Sequence, residues 1–457
     1  MIRTSDVVLT GRFEEADRKR YVHLPFDVPS GVRQLHVRYS YDDRIDSDPL
    51  ITGGNTLDIG LFDERGIAPG SPGYRGWSGS ERLEFTVDAE WATPPYRAGP
   101  IGSGTWHVML GPYKVAAHGL EYRVEIRFNA GVPREDRVVL RTGVPRRPAL
   151  PPPAEPGWIR GDLHCHTLYS DGDSWPAEML LAAAEAGLDF LGVTDHNSVA
   201  HHAEYGPGGG ACPVVVPGVE VTTYHGHWNA WGTDRWHEFR EPTSGGVSAA
   251  MREAIAEGAF VSLCHPKPFG PPWEYEDVHD FPAVEVWNGP WDRLNSVSLA
   301  FWDAQLERGE RIVALGGSDT HQLRAPHHAK LGLPTTWVRT GPEPDAAAIL
   351  AALRRGNAFV SASPAGPQLY LARAGDRASI HAIDSAGTFV VLVADGIVAA
   401  GDAVAEREWE RAFPIPRDAR HVRAQVVDAH GAVLALTNPL WLREPRTGAA
   451  ARDDARA

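Results

Sequence analysis

The alternation of apolar and polar positions divides the chain into three parts. Over residues 1–144 the pattern has period two. Segments 32–39 (VRQLHVRY), 56–62, 82–87, 106–110 and 121–128 alternate in this way, and Gly, Pro, Asp and Asn separate them. No long 3.6-residue period interrupts them, so an N-terminal antiparallel β-sandwich is predicted. From Trp158 short apolar runs alternate with helical stretches. Strands are expected at 159–163, 190–193, 214–221, 229–232, 260–263, 283–286 and 312–315, and helices near 176–186, 247–257, 292–308 and 345–355. The first helix shows the reasoning: Ser174 and Pro176 open it, Met179, Leu180, Ala183 and Ala184 form its apolar face, and Gly187 closes it. Such alternation predicts a mostly parallel α/β sheet or barrel over 158–365. Strand patterns return at 369–372, 389–394, 422–427 and 433–436, predicting a small C-terminal β-sandwich over 366–445. Residues 145–157 are rich in proline and read as a stiff, extended linker. Residues 446–457 read as a disordered tail.

Composition narrows the function. The chain has 457 residues and a formal net charge of −15. An acidic surface is a poor binder of phosphate backbones and anionic membranes, so neither a nucleic-acid polymer nor a membrane is an expected partner. No apolar run approaches the roughly 20 residues needed to span a bilayer, and the first residues lack the apolar core of a secretion signal. The three cysteines, Cys165, Cys212 and Cys264, make no disulfide framework. A cytoplasmic location is therefore expected.

Histidine is unevenly placed: of 20 in the chain, 13 fall between Gly161 and Lys330. Most sit where expected strands end, in DLHCHTLYSD (162–171), TDHN (194–197), GVE (218–220), HGHWN (225–229), CHPK (264–267) and SDTH (318–321). In a parallel α/β barrel these ends share one mouth. His164 and His166 are two apart on an extended chain, so both imidazoles point the same way, as do Asp319 and His321. Imidazoles and carboxylates converging there are costly to bury unless a cation lies between them. Mixed His and carboxylate donors suit Zn²⁺, Mn²⁺ or Fe²⁺.

These motifs, in this order, resemble the polymerase-and-histidinol-phosphatase (PHP) metallohydrolase family over about residues 158–365. EVWNG (285–289), TNPLW (437–441) and the flanking sandwiches are similar to its carbaryl-hydrolase-like (CehA/McbA) branch. The resemblance implies a distorted (β/α)7 barrel holding two or three divalent ions. It would place His164, His166, Glu220 and Asp319 on the first ion. Glu220 would bridge to a second ion with His227 and His265, and Asp171, His196 and His321 would hold a third. His225 is the alternative to His227, which fits the family's GHxN pattern better. Asp195 is expected to orient a ligand, and Asp319 or a ligand-adjacent carboxylate to accept a proton during catalysis. Lys267, Asn288 and Arg324 are expected to bind substrate. Water acidified by the ions would attack an ester of a small molecule.

Each assignment has a plainer reading. A single strand-end histidine is usually a surface or hydrogen-bonded residue, and only the joint placement of nine ligand-type side chains argues otherwise. Cys165 points away from its flanking histidines and reads as a wall residue. Lys267 and Arg324 can equally be ion pairs. Trp228, Trp231, Trp273, Trp287 and Trp291 either pack around the mouth or wall an aromatic pocket. The favoured function is a phosphoesterase acting on a small phosphorylated metabolite or nucleotide. Alternatives are a carboxylic or carbamic ester hydrolase and a non-catalytic binding protein. An amidohydrolase barrel does not fit, because Lys267 and Lys330, the middle region's lysines, both follow His265.

Overall fold

The computed structural model describes residues 5–134, 145–205, 212–268, 270–325, 329–341 and 344–443. The period-two segments of the N-terminal part form two four-stranded antiparallel sheets. One is ordered Val7–Phe13, Leu120–Phe128, Gln34–Tyr41, Glu84–Asp88, and the other Val22–Val28, Gly104–Lys114, Thr56–Phe62, Tyr74–Gly79. Leu35, Val37, Leu57, Ile59, Leu61, Trp106 and Val108 fill the space between them. The strand Thr56–Phe62 is buried along its whole length, on both faces. Its second face packs on the middle region, where Phe62, Tyr74, Trp77 and Met109 share a core with Val219, Val221, Trp228 and Phe239.

The middle region supplies one end of a 14-stranded sheet ordered Val313–Gly317, Ala283–Asn288, Phe260–Leu263, Gly226–Trp231, Val214–Thr223, Phe190–Val193, Trp158–Asp162, Thr335–Arg339, Ala358–Ser361. Four α-helices, Pro176–Glu185, Ser244–Ala256, Asn295–Glu307 and Ala346–Arg354, lie near their expected positions. Two features differ from a (β/α)7 barrel. Gly226–Trp231 runs antiparallel to both neighbours, because the tight turn at Tyr224 and His225 leaves no length for a crossover helix. The strand ladder is also open. Past the end of Val313–Gly317 the two edges meet in an isolated parallel bridge, Cys165 with Thr320, in place of a strand ladder: Asp319 N donates to His164 O at 2.8 Å and His166 N to Thr320 O at 2.9 Å. The fold is thus a mixed α/β structure with more strands than helices.

The large sheet does not stop near residue 365. Phe359 pairs with Thr437, and Val433–Thr437, His421–Val427, Phe389–Ala394 and Ile397–Ala403 continue the ladder. A separate sheet, Gln368–Ala374, Arg377–Ile383 and Glu408–Pro414, covers it, over a core that includes Trp337 and Phe359. The proline-rich segment 145–157 is irregular and lies on both later parts. Arg147 Nη2 donates to Leu188 O at 2.9 Å and Ala154 N to Gln368 Oε1 at 2.8 Å. The expected tail, 446–457, falls outside the described residues. Among the described residues no helix is long and apolar enough to cross a membrane.

His237 gives the fold an acid-sensitive point. Its side chain is buried, with Nε2 3.0 Å from Thr233 Oγ1. Burial pushes its pKa down from 6.5 to about 4. The unfolded chain therefore binds more protons between these values, so stability is full above 6.5 and falls as pH drops toward 4, by at most about 3 kcal/mol. Urea unfolding of His237→Gln should show a smaller loss of stability between pH 7 and pH 4.5 than the parent. An identical loss would exclude His237 as the cause.

Candidate metal centre

The strand ends bring together all nine side chains expected as ligands. Asp162, fully buried, staples the site's backbone. Its Oδ1 accepts from His164 N at 3.1 Å and Ser318 N at 3.0 Å, and its Oδ2 from Gly332 N at 2.8 Å. His164 and His166 follow on an extended chain, with Leu163 and Cys165 turned into apolar clusters. His265 and Asp319 have left-handed backbones (φ 27° and 55°). Such conformations cost on the order of 1–3 kcal/mol each and persist where the surrounding structure enforces them.

Glu220 lies at the centre, 1% exposed. Its Oε2 is 3.5 Å from His164 Nε2, 3.4 Å from His166 Nε2 and 2.9 Å from His196 Nδ1. Its Oε1 is 3.1 Å from His227 Nδ1 and 3.4 Å from His265 Nε2. The two oxygens of one carboxylate therefore face two different sets of imidazoles. Asp319 Oδ1 lies 3.4 Å from His164 Nε2 and 3.2 Å from His166 Nε2. Asp171 Oδ1 lies 3.6 Å from His196 Nε2 and 3.4 Å from His321 Nε2. His225 stands apart, with Nδ1 2.7 Å from Glu274 Oε2.

The electrostatics are strongly coupled. Burial alone would lower the His164 pKa, but Glu285, Asp319 and Glu220 raise it well above 6.5. Burial, reinforced by His321 and His196, holds His166 down at about 4. Burial opposes ionisation of Glu220, Asp319 and Asp171, yet the surrounding histidines keep all three below the usual carboxylate range. Three ionised carboxylates among six imidazoles are a donor set for divalent cations.

Two observations test that fit. Glu220 Oε2 is buried, and none of the three imidazole nitrogens around it, His196 Nδ1 at 2.9 Å included, is aligned to donate to it. His164 Nε2, His166 Nε2 and Glu220 Oε2 form a triangle with sides of 3.2, 3.5 and 3.4 Å. Its centre lies about 2 Å from each corner, the length of Zn–N and Zn–O bonds. The residues fit a metal ion.

The other expected residues divide. Asp195 is fully buried away from the cavity and accepts from Thr167 N, Thr167 Oγ1 and Ser170 Oγ, each at 2.7 Å. Ser170 Oγ in turn lies 3.4 Å from His166 Nδ1, so Asp195 supports that histidine from beneath. Asn288 Nδ2 donates to Glu285 Oε2 at 3.0 Å and Asp319 Oδ2 at 3.2 Å, at the cavity wall. Lys267 is 2% exposed and donates to Asn288 O at 2.8 Å and Asn295 Oδ1 at 2.9 Å, bracing the wall from behind. Arg324 turns away and pairs with Glu178 at 3.1 Å. Trp228 and Trp231 are core residues, 0% and 2% exposed.

Glu285, which opens the EVWNG segment, also belongs to the site. It sits on the buried strand Ala283–Asn288, with Oε1 3.1 Å from His164 Nδ1. It fixes the ring so that Nε2 faces Glu220 and Asp319. A carboxylate inside an otherwise apolar strand was the available signal. Glu285→Gln is expected to lower metal affinity and turnover 10- to 100-fold, on the order seen for such supporting carboxylates. Metal titration against kcat checks this, and an unchanged affinity would remove Glu285 from the site.

The centre opens into a cavity of ≈ 320 Å³. Its wall includes Asp171, His196, Glu220, His227, His265, Asp319 and His321, and also Arg293. The N-terminal sandwich contributes Asp58, Trp77, Ser78, Glu81 and Tyr113 to the same wall.

No family model matches the chain, and no curated protein matches it. Among solved structures, the chain is similar to a two-domain protein containing a predicted PHP-like metal-dependent phosphoesterase from Bacteroides vulgatus ATCC 8482. The two are 18% identical, with a TM-score of 0.40, over 65% of this chain and 100% of that one. At that distance the chemistry rests on the residues themselves.

Proposed function

We propose that this chain is a metal-dependent hydrolase of small-molecule phosphoric esters, with two or three divalent ions (Zn, Mn or Fe) at the strand ends. The observation that carries the reading is Glu220, whose two oxygens face separate histidine sets 2.9–3.5 Å away inside one cavity. Such ions supply Lewis acidity and lower the pKa of water toward 7. The chain's own residues supply the rest. His164, His166, Glu220 and Asp319 would hold one ion, Glu220, His227 and His265 a second, and Asp171, His196 and His321 a third. Asn288 holds Asp319 Oδ2 at 3.2 Å, leaving Oδ1 toward the histidines. Asp319 Oδ2 is then the carboxylate oxygen placed to receive a proton near the reacting ester. Arg293 lines the cavity and offers the cation that favours an anionic phosphoryl group. A ≈ 320 Å³ cavity walled by the N-terminal sandwich suits a small molecule better than a polymer.

The test joins elemental analysis of chelator-free protein to turnover of p-nitrophenyl phosphate and p-nitrophenyl acetate, with His166→Ala as control. Two or three ions per chain and phosphate turnover lost in the variant are expected. Acetate turnover alone would select a carboxylic or carbamic ester hydrolase. Fewer than one ion per chain, with turnover indifferent to His166, would overturn the reading.

A further inference from the structure

Asp58 is the one acidic residue on the strand Thr56–Phe62, which is buried on both faces. Leu57, Ile59 and Leu61 fill the sandwich core. By the period of two, Asp58 faces the middle region, as Phe62 does. It is 6% exposed and lines the metal cavity. Its Oδ2 accepts one hydrogen bond, from Tyr224 Oη at 2.7 Å. Among the described residues no group donates to its Oδ1, and no arginine, lysine or histidine acts on it.

Tyr224 is held to this task. It occupies the hairpin turn three residues before His227 and is stacked between Tyr21 (4.7 Å, 8°) and Tyr113 (5.4 Å, 19°). Gly111 makes room for it, since a Cβ there would come within 1.9 Å of the Tyr224 oxygen. A buried carboxyl with one neutral donor and no counter-charge is a costly choice for an interface. Burial drives its pKa from 3.8 to about 7. The titratable groups around it are Tyr21, Tyr39, Tyr41, Tyr113 and Tyr224, and none of them is a cation.

We propose that Asp58, fixed by Tyr224, is a specificity-determining residue in the cavity wall, where its open oxygen accepts a hydrogen bond from a hydroxyl group on the alcohol portion of the ester. The proposal rests on the hydrolase reading for its substrate and on the cavity alone for its binding site. Sites built to bond a substrate hydroxyl discriminate strongly against analogues that lack it, because the buried group is left unpaired.

The test uses the full chain with manganese and two matched series: monophosphates of 1,n-alkanediols and of n-alkanols with three to six carbons. At one chain length the parent should prefer the diol ester by at least about 10-fold in kcat/KM. The preference should fall toward 1 in Asp58→Leu and to an intermediate value in Asp58→Asn. Ligand-detected NMR with the free diols and alkanols repeats the comparison without turnover. Diol binding that disappears in Asp58→Leu, in a protein that hydrolyses no ester, would uphold the subsite and sink the hydrolase reading. Equal treatment of diols and alkanols by the parent, or a preference that survives Asp58→Leu, would overturn the proposal. Folding is controlled by the thermal midpoint. The raised pKa of Asp58 gives stability that is present below pH 3.8 and lost as pH rises through about 7. Asp58→Asn should therefore raise the midpoint at pH 8 more than at pH 5, and an even shift would mean that Asp58 is not held in the buried state described.

Discussion

Glu220→Ala should lower turnover by at least about 10³-fold and leave less than half the parent's metal, the heaviest loss expected from any single substitution in the site. The reasoning is geometric. His164 and His166 have Asp319 as a second carboxylate partner, so removing Asp319 leaves Glu220 to hold that pair. His227 and His265 face Glu220 Oε1. Among the described residues no other carboxylate is paired with them, so losing Glu220 strips a ligand from both sets at once. Several kcal/mol of charge stabilisation in the transition state convert to about 10³ or more in rate. Glu220→Gln separates charge from shape: it keeps one acceptor oxygen and should fall almost as far. Glu274→Gln is the surface control, because Glu274 pairs with Lys19 and His225 outside the centre. Metal content and kcat measured on the same samples decide the matter. A Glu220→Ala protein with full metal and more than about one-tenth of the parent rate would show that the centre is wrongly drawn.

The convergence of the nine candidate ligands was more legible than the fold around them. Residues such as His164 and His166, two apart on an extended chain, share a direction wherever the strand lies, so local spacing carried them. The ends of Phe190–Val193 and Phe260–Leu263 were equally plain, since these short apolar runs are buried on both faces. Spacing does not carry what is set by a neighbour far along the chain. Lys267 and Arg324 follow ligands in sequence, but their partners, Asn295 and Glu178, come from helices whose packing spacing does not reveal. Gly226–Trp231 was expected among parallel strands, because its apolar run looks the same in either direction. The hairpin turn that reverses it is only two residues long. Tyr74–Gly79 carries little strand pattern, because two of its six residues are glycine. The end of the middle region near residue 365 followed a change in hydrophobic period. The hydrogen-bond ladder runs through that change, since pairing depends on backbone and not on period.

The join between the N-terminal sandwich and the metal centre predicts that the two unfold together, and Tyr74→Ala is the sharpest probe. The Tyr74 ring packs 5.2 Å from Phe62, within the sandwich, and 4.7 Å from Trp236 and 5.9 Å from Phe239, across the join. Its hydroxyl donates to Asn197 O at 2.8 Å. Asn197 is left-handed (φ 50°), directly follows His196, and its N–H donates to Glu220 O at 2.8 Å. Removing the ring should cost about 3–5 kcal/mol, the range for large aromatic truncations in packed cores. Tyr74→Phe, which loses only the hydrogen bond, should cost about 1 kcal/mol. Both variants loosen the loop carrying His196, so kcat/KM should fall, by about 10-fold or more in Tyr74→Ala. Urea unfolding followed by tryptophan fluorescence and by far-ultraviolet circular dichroism reads the outcome. A shared core such as Phe62, Tyr74, Trp236 and Phe239 cannot lose one side without exposing the other. The parent should therefore show one transition with coincident midpoints, and Tyr74→Ala should shift the whole of it. Two separate transitions in the parent, with Tyr74→Ala moving only the first, would mean that the sandwich is an independent domain and that its side of the cavity is dispensable to the centre.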